Sequence, residues 1–311
     1  MGRRQNILVL GGTGFIGSEL LATLRSIDSR YNVLVLVNRT DAAVSLEHFE
    51  TIRGSLGSFD LRAAESFNPD LIVHMARNRG SGALGRLLAA EKGARANRRL
   101  LSWMKGREAP PRLLYVSGTL MYGDCGRGSV TEEQPLNPTA FASQYILAER
   151  PFIKESAKGG VPVSMLRPPW VMGTASWFKG YYLDTMSRFG FVPQYGDGKN
   201  IMSFIDVTDC AGLIELAASS GVPGQNYNLF VPGAAIEQRE FASLLSDISG
   251  LPLRVFNRSE VRKRYGDTVW KAFTFSLNAS TVNKGFIEGY TFKYPTVRSM
   301  VEKNLDITAG A

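Results

Sequence analysis

Short apolar runs alternate with segments of helical periodicity along the first half of the chain. The runs lie at 7–10, 33–37, 71–76, 112–116 and 163–166, with a shorter strand predicted at 51–53. Continuous apolar runs of this length are typical of parallel strands that are covered on both faces. Helices are predicted after the first strand, over much of 89–105, and from 139 to about 158, where Pro151 should introduce a kink. The pattern therefore predicts an α/β fold with a doubly wound parallel sheet.

A glycine turn joins the first strand to the first helix. Gly11, Gly14 and Gly17 are spaced as G-x-x-G-x-x-G in the segment NILVLGGTGFIG. The first glycine permits a tight turn, the second lets the backbone approach a pyrophosphate, and the third lets the helix pack on the strand. A strand before the turn and an amphipathic helix after it favour dinucleotide binding over an ordinary glycine-rich loop. The predicted contacts at this turn are Gly11, Thr13, Gly14, Phe15, Ile16 and Gly17.

The end of the second strand bears on the choice of cofactor. An acidic side chain that would bind the adenosine ribose 2′-hydroxyl is absent there, and Asn38, Arg39 and Thr40 follow the strand instead. Arg39 offers a cation to a 2′-phosphate, so NADPH is favoured over NADH, although NADH stays possible. Ser55 and Leu56, after the third strand, are expected beneath the adenine.

The fourth predicted strand, LIVHMA, ends where ligands bind in open α/β sheets, so Ala76 and Arg77 should face the cofactor. His74 lies inside this apolar run, and a packed, hydrogen-bonded histidine is favoured over a catalytic one. The segment 77–85, RNRGSGALG, is rich in glycine and is predicted to form a mobile loop at the mouth of the site.

Composition limits the remaining classes. The 311 residues are enough for one large or two closely joined domains, and 44% of them are hydrophobic. No apolar run reaches the roughly 18 residues of a membrane span, and no leader peptide is recognisable, so a cytoplasmic location is expected. Two cysteines and two histidines provide neither a disulfide framework nor a metal-ligand cluster, so no metal is expected.

The net charge of +8 is unevenly distributed. Ten Lys and Arg residues lie between positions 77 and 112, and a second basic run comprises Arg258, Arg262, Lys263 and Arg264. A solvated basic face, an anionic ligand and a nucleic acid all remain open as explanations.

A set of motifs resembles the extended short-chain dehydrogenase/reductase family, of the nucleotide-sugar epimerase and dehydratase type. The motifs are GGTGFIG, DLIVHMA, YVSGTLMYG, the segment ending LAER, SMLRPPWVMG, MSFIDVTDCA and YNLF, in the family's order and approximate spacing. The resemblance implies that residues 1–168 form mainly a Rossmann domain with a seven-stranded sheet. It also implies that 169–311 form mainly a smaller substrate domain, from which 201–230 returns to the sheet. Ser117, Tyr145, Pro168 and Val171 are further implied cofactor contacts.

The catalytic positions implied by this resemblance hold unusual residues. The family uses a Ser or Thr after the fifth strand and a Tyr-x-x-x-Lys pair on the next helix, where the lysine lowers the pKa of the tyrosine. Gly118, Phe141 and Tyr145 occupy these three positions. The usual triad is therefore expected to be missing, and only Ser117 and Thr119 remain close by as polar contacts.

An aromatic-rich segment follows the sixth predicted strand. Much of it is expected to be core, but flat aromatic walls and adaptable methionines also suit a polycyclic ligand better than a nucleotide sugar. The predicted substrate contacts are Trp170, Trp177, Phe178, Tyr181 and Met202.

Three functions follow from these observations. The first is an NADPH-dependent ketoreductase that reduces a ketone on a polycyclic aromatic polyketide of the angucyclinone type in antibiotic biosynthesis, with a proton supplied by the substrate. Such a substrate could carry an anionic tail that the basic segment attracts. The second is a catalytically silent NADPH-binding regulator. The third is an RNA-binding relative, which is disfavoured because the basic segment has no series of aromatic residues interleaved for base stacking.

Overall fold

A computed structural model describes residues 3–27, 29–38, 46–139 and 142–309. The strands are β1 (Gln5–Leu10), β2 (Tyr31–Val37), β3 (Glu50–Arg53), β4 (Leu71–His74), β5 (Arg112–Val116), β6 (Ser129–Val130), β7 (Val163–Arg167), β8 (Trp170–Met172), β9 (Val192–Tyr195), β10 (Ile201–Asp206), β11 (Tyr227–Asn228), β12 (Ala235–Glu237), β13 (Leu253–Phe256) and β14 (Asn278–Ala279). The helices are α1 (Phe15–Ser26), α2 (Leu61–Phe67), α3 (Gly82–Lys105), α4 (Ala142–Lys158), α5 (Asp184–Phe189), α6 (Val207–Ser220), α7 (Gln238–Ser249), α8 (Arg258–Tyr265), α9 (Asp267–Thr274), α10 (Lys284–Glu288) and α11 (Val297–Ala309).

The central sheet has seven strands in the order β11-β7-β5-β4-β1-β2-β3. Neighbouring strands from β3 to β7 pair in parallel, and the register places Leu10 beside His74 and His74 beside Tyr115. This register brings the carboxyl ends of β1, β4 and β5 to one edge. The prediction of a doubly wound, Rossmann-like parallel sheet is confirmed.

The apolar pattern explains why the sheet forms. Ile7, Leu8, Val9 and Leu10 of β1 are completely buried, as a strand covered on both faces requires. Helix α1 buries Leu20, Leu21 and Leu24 along one side, with helical spacing. Burial of these side chains supplies the main driving force for assembling the sheet and its helices.

Helix α3 begins earlier than predicted. It starts at Gly82, after Ser81 in extended conformation, so the loop predicted over 77–85 is wrong for its last four residues. Leu84, Leu87 and Leu88 have helical spacing, and this local pattern outweighs the neighbouring glycines. Pro151 lies inside α4, and the kink expected there stays a prediction.

The chain forms two compact units. The first comprises Met1–Ser117, Gln144–Arg167 and Ala211–Tyr227, and the second comprises Gly118–Ser143, Pro168–Cys210 and Asn228–Ala311. Residues 118–143 thus belong to the second unit rather than to the predicted 1–168 domain, and the segment that returns to the first unit is 211–227 rather than 201–230. The difference arises because β6 within 118–143 pairs with β14, and β10 pairs with β8 and β12 of the same unit.

Candidate functional site

The glycine turn lies against the end of β4. Gly11 has a φ of +91°, and a Cβ atom added to it would lie 2.6 Å from the backbone nitrogen of Ala76. Glycine is therefore required both for the backbone conformation and for the close approach. The amide of Gly14 donates a hydrogen bond of 3.0 Å to the carbonyl oxygen of Gly11, which closes the turn.

Helix α1 presents a bare N-terminus at this turn. Gly14 is its N-cap, makes no side-chain capping bond, and is followed by no acidic residue in the first turn. The first amides of a helix have no intrahelical acceptor, and its dipole favours an anion there. A Cβ atom on Gly17 would collide with the carbonyl oxygen of Gly11. These features fit a bound diphosphate, with Thr13, Phe15 and Ile16 half-buried around it.

The adenosine side of the predicted site is described in part. Asn38 is exposed directly after β2, while Arg39 and Thr40 lie outside the described residues. Beyond β3, Leu56 is buried, and the hydroxyl of Ser55 lies 2.7 Å from that of Ser58. The proposed contact between Arg39 and a 2′-phosphate therefore stays a prediction.

A charged cluster occupies the ends of β4 and β5. The guanidinium of Arg77 donates a hydrogen bond of 2.8 Å to the carbonyl oxygen of Ser117 and lies 3.9 Å from Oε1 of Glu149. The hydroxyl of Ser117 donates a bond of 2.7 Å to Oε2 of the same carboxylate. Arg77 also lies over the ring of Tyr145, 5.3 Å from its centroid. We call Arg77, Ser117, Tyr145 and Glu149 the edge cluster.

Glu149 is the buried centre of the edge cluster. Its exposed fraction is 1%, and Oε1 has no hydrogen-bond partner among the described residues. Burial raises the pKa of Glu149, while the charge of Arg77, the Ser117 hydroxyl and the charge of Arg167 oppose this change. The carboxylate therefore depends on Arg77, with Arg167, for compensation of its charge.

His74 is packed and hydrogen-bonded, as predicted. It is fully buried, and its Nε2 lies 3.0 Å from Oδ1 of Asn97, whose amide nitrogen donates to the carbonyl oxygen of Ala148 over 2.7 Å. Because Asn97 uses its donor on Ala148, its oxygen accepts and His74 carries the proton on Nε2. Burial lowers the pKa of His74 to about 4, so the ring is neutral at physiological pH.

A concavity in the first unit is lined by several of these residues. It is lined by small residues of α3 and α4 and by polar groups that include Arg77, Asn97, Tyr145 and Glu149, together with Leu56 and Ala76. Three of the predicted cofactor residues after β3 and β4, together with Tyr145 of α4, thus line one surface.

Other predicted contacts belong to the second unit. Gly118 has no side chain. Thr119, which follows it, is buried, and its amide donates a hydrogen bond of 3.0 Å to the carbonyl oxygen of Pro168. Pro168 is buried and Val171 is 8% exposed. Phe141 lies outside the described residues.

The predicted substrate residues belong to an aromatic cluster of the second unit. The ring of Trp170 lies 4.9 Å from those of Trp177 and Phe273, and Tyr181 lies 5.1 Å from Phe273. Trp170, Trp177 and Tyr181 are partly exposed. The placement of the other two residues corrects the prediction. Phe178 and Met202 are fully buried, so they offer no surface to a ligand in this structure and act as core.

One polar group in this cluster lacks a partner. Nε1 of Trp177 is buried and makes no hydrogen bond with the described residues. The nearby hydroxyl of Tyr182 accepts from Gln238 over 2.7 Å, and that of Tyr195 donates to the carbonyl oxygen of Tyr181 over 2.6 Å. The indole N–H of Trp177 is therefore a free donor within an aromatic surrounding.

Sequence reasoning missed Glu149 and Asn97 as members of the site. A signal existed for Glu149, because it follows Tyr145 by one helical turn and precedes fully buried Phe152 by three residues. A carboxylate on the buried face of a helix requires a cationic or hydrogen-bonding partner.

Within the described ranges, no group of three or more His, Cys, Asp or Glu residues could hold a metal ion. No helix of these ranges is long and apolar enough to cross a membrane.

The second basic run lies on α8. The guanidinium of Arg264 on this helix lies 4.2 Å from the ring centroid of Phe189.

The comparisons with known proteins agree with this fold. A sequence model of the NAD dependent epimerase/dehydratase family matches residues 7–229. The chain is 27% identical over 256 residues to a probable dTDP-glucose 4,6-dehydratase of Sinorhizobium fredii, covering 72% of this chain and 70% of that protein. It is 26% identical over 294 residues to the 4-hydroxy-2-methyl-3-oxo-4-farnesyl-3,4-dihydroquinoline-1-oxide ketoreductase of Stigmatella aurantiaca, covering 85% and 80%.

Two solved structures illustrate the structural similarity. The dTDP-glucose 4,6-dehydratase of Bacillus anthracis in complex with NAD has a TM-score of 0.77 at 18% identity, with 98% of this chain and 97% of that chain covered. Human epimerase family protein SDR39U1 with NADPH has a TM-score of 0.75 at 18% identity, with 97% and 99% covered.

Proposed function

The chain belongs to the NAD dependent epimerase/dehydratase family, and from this premise we propose that it is an NADPH-dependent ketoreductase that acts on a polycyclic aromatic ketone. The observation that carries the cofactor assignment is the glycine turn, where Gly11 touches Ala76 and α1 opens without a cap. A diphosphate satisfies the unpaired amides of such a turn. The two solved relatives described above are complexes with NAD and with NADPH, which supports a nicotinamide cofactor for this chain.

The preference for NADPH rests on the end of β2. Asn38 places no negative charge there, and Arg39 follows it in the sequence. A guanidinium binds a phosphate through charge-assisted, often bidentate hydrogen bonds. A 2′-phosphate is the group that distinguishes NADPH from NADH at this position.

The aromatic cluster supports the substrate class. Trp170, Trp177 and Tyr181 retain exposed surface, and flat rings favour stacking with another aromatic system. The Stigmatella relative is named as a ketoreductase of a quinoline-type compound, which is also a fused-ring ketone. An angucyclinone ketone, such as that of 7-oxo-simocyclinone, is our specific candidate.

The proposed reaction does not use the Ser/Tyr/Lys triad. When bound, the cofactor supplies the hydride that reduces the carbonyl carbon. The protein's part is to hold the two reacting carbons about 3 to 3.5 Å apart and to exclude water. The growing alkoxide takes its proton from a hydroxyl beside the ketone on the substrate, since Gly118 and Phe141 cannot donate one.

The direct test follows NADPH absorbance while a panel of polycyclic aromatic ketones is offered. Ketones with a neighbouring hydroxyl should be reduced. dTDP-glucose, followed by analysis of its products rather than by absorbance, serves as the comparison for a nucleotide-sugar activity. Trp177→Phe should raise KM for the ketone, because it reduces the aromatic surface of the cluster, and should leave NADPH affinity unchanged, because the glycine turn stays intact. Consumption of no ketone in the panel, together with tight NADPH binding, would instead support the silent regulator.

A further inference from the structure

The sheet topology assigns the two halves of a bound dinucleotide to different strands. The glycine turn follows β1, which lies between β2 on one side and β4 on the other, with β5 beyond β4. In such folds the pyrophosphate lies at the turn, and the adenosine ribose lies over the end of β2. The other half therefore extends over the ends of β4 and β5, which is where the edge cluster lies.

Arg77 is the cation of this region. It follows Ala76, whose backbone touches the glycine turn, and its guanidinium reaches from the end of β4 to the carbonyl oxygen of Ser117 at the end of β5. The side chain is 37% exposed, so its partners do not close it off completely. A guanidinium has five N–H donors, and the bond to Ser117 is the one hydrogen bond that Arg77 makes to the described residues.

The buried carboxylate of Glu149 explains why Arg77 is held in this position. Oε1 of Glu149 lies 3.9 Å from the guanidinium and has no hydrogen-bond partner among the described residues. A buried carboxylate without a cation is strongly unfavourable, so the pair restrains Arg77 toward the inside of the concavity. The ring of Tyr145 supports the guanidinium from another side.

From this geometry we propose that Arg77 binds the ribose or phosphate oxygen atoms of the nicotinamide half of NADPH, and that Glu149 is a positioning residue for Arg77. This inference rests on the proposed function, since it requires the cofactor. It adds a residue that contacts the nicotinamide half of the cofactor and not the adenosine half.

The test compares the whole cofactor with one half of it. NADPH affinity is measured by fluorescence titration, and 2′,5′-ADP, which contains only the adenosine half, is measured by calorimetry. Arg77→Ala should weaken NADPH binding about tenfold through loss of a charge-assisted hydrogen bond and leave the affinity for 2′,5′-ADP unchanged. Arg77→Lys, which keeps the charge without the planar fork, should give a smaller loss.

Two further variants separate positioning from structure. Glu149→Gln keeps an oxygen that can accept from Ser117 but removes the charge, so NADPH should weaken severalfold with no change for 2′,5′-ADP. Arg79→Ala is the matched control, because Arg79 is exposed in the same segment and makes no ion pair with the described residues. It should change neither affinity.

The outcomes are distinct. Equal losses for NADPH and 2′,5′-ADP in Arg77→Ala would place Arg77 on the phosphates of the adenosine side and overturn the inference. Lower melting temperatures in Arg77→Ala and Glu149→Gln with both affinities intact would leave the cluster with a purely structural role and also overturn it. If the wild-type chain binds neither ligand, the cofactor assignment itself fails, together with the role of Arg77.

Discussion

The hydroxyl of Ser117 donates a hydrogen bond of 2.7 Å to Oε2 of Glu149. It is the only side-chain hydrogen bond that the carboxylate receives from the described residues, because Oε1 has none. In this structure Ser117 therefore satisfies a buried charge.

Ser117→Ala should consequently reduce stability. Loss of this bond leaves a buried carboxylate with both oxygens unpaired, so the free energy of unfolding should fall by about 1–3 kcal/mol. Urea denaturation measures the change. Ser58→Ala is the control, since Ser58 is exposed and its hydroxyl pairs only with Ser55 among its described contacts. Equal stability of the two variants would show that the bond to Glu149 contributes nothing.

The glycine turn predicts different effects at two positions. Around a Cβ atom on Gly14 the nearest atom is the carbonyl oxygen of Gly11 at 3.2 Å, whereas the same atom on Gly17 collides with backbone. Gly14→Val should therefore weaken NADPH binding at least tenfold, with a loss of stability of about 1 kcal/mol or less, while Gly17→Ala should lower both. Titration and thermal melts distinguish them. A Gly14→Val protein with wild-type NADPH affinity would mean that the turn is not the phosphate cradle.

The lowered pKa of His74 should make the free energy of unfolding depend on pH. Its pKa is lowered to about 4 in the folded protein, against about 6.5 in the unfolded chain. Between these values the unfolded chain binds more protons, so the stability present above pH 6.5 is lost as the pH falls toward 4. The loss amounts to ~3 kcal/mol.

Chemical denaturation across this pH range measures the effect. His74→Gln should show a shallower dependence than the wild type because it cannot take up the proton. His48→Gln, at an exposed position outside the core, is the control for removing a histidine. Identical pH profiles for the wild type and His74→Gln would contradict the assignment of the depressed pKa to His74.

Arg39 should determine which cofactor is preferred. If its guanidinium binds the 2′-phosphate, Arg39→Ala should weaken the binding of NADPH far more than that of NADH, which has no such phosphate. Parallel binding titrations with the two cofactors provide the measurement. Equal losses for both would remove Arg39 from this role.

The source of the proton predicts a substrate effect. Tyr145→Phe and Thr119→Val should each leave most of the turnover, since neither hydroxyl donates the proton in the substrate-assisted reaction. Ser117→Ala should do the same in the fraction that folds. Methylation of the substrate hydroxyl beside the ketone should abolish turnover. A loss of about 1,000-fold in one of these variants with NADPH binding intact, as expected for an acid catalyst, would instead identify that side chain as the donor.

Much of the fold was predictable because its signals are local. Apolar runs of strand length predicted the six strands β1, β2, β3, β4, β5 and β7, and the glycine spacing predicted the turn after β1. A short stretch of sequence already specifies these features. An apolar run indicates a strand buried on both faces, and the glycine at position 11 permits the positive φ of the turn. The start of α3 was misplaced because glycine and charge outweighed the leucine spacing in the prediction.

The sequence by itself thus determined the parallel sheet and the residues of the glycine turn, whereas only the tertiary structure decided how the polar groups pair. Arg77, Ser117 and Glu149 come from two strand ends and a helix, and no local pattern reveals that they meet. The same reason applies to Phe178 and Met202, whose residue types suit either a core or a ligand surface. Their complete burial depends on the packing of distant side chains, which periodicity does not encode.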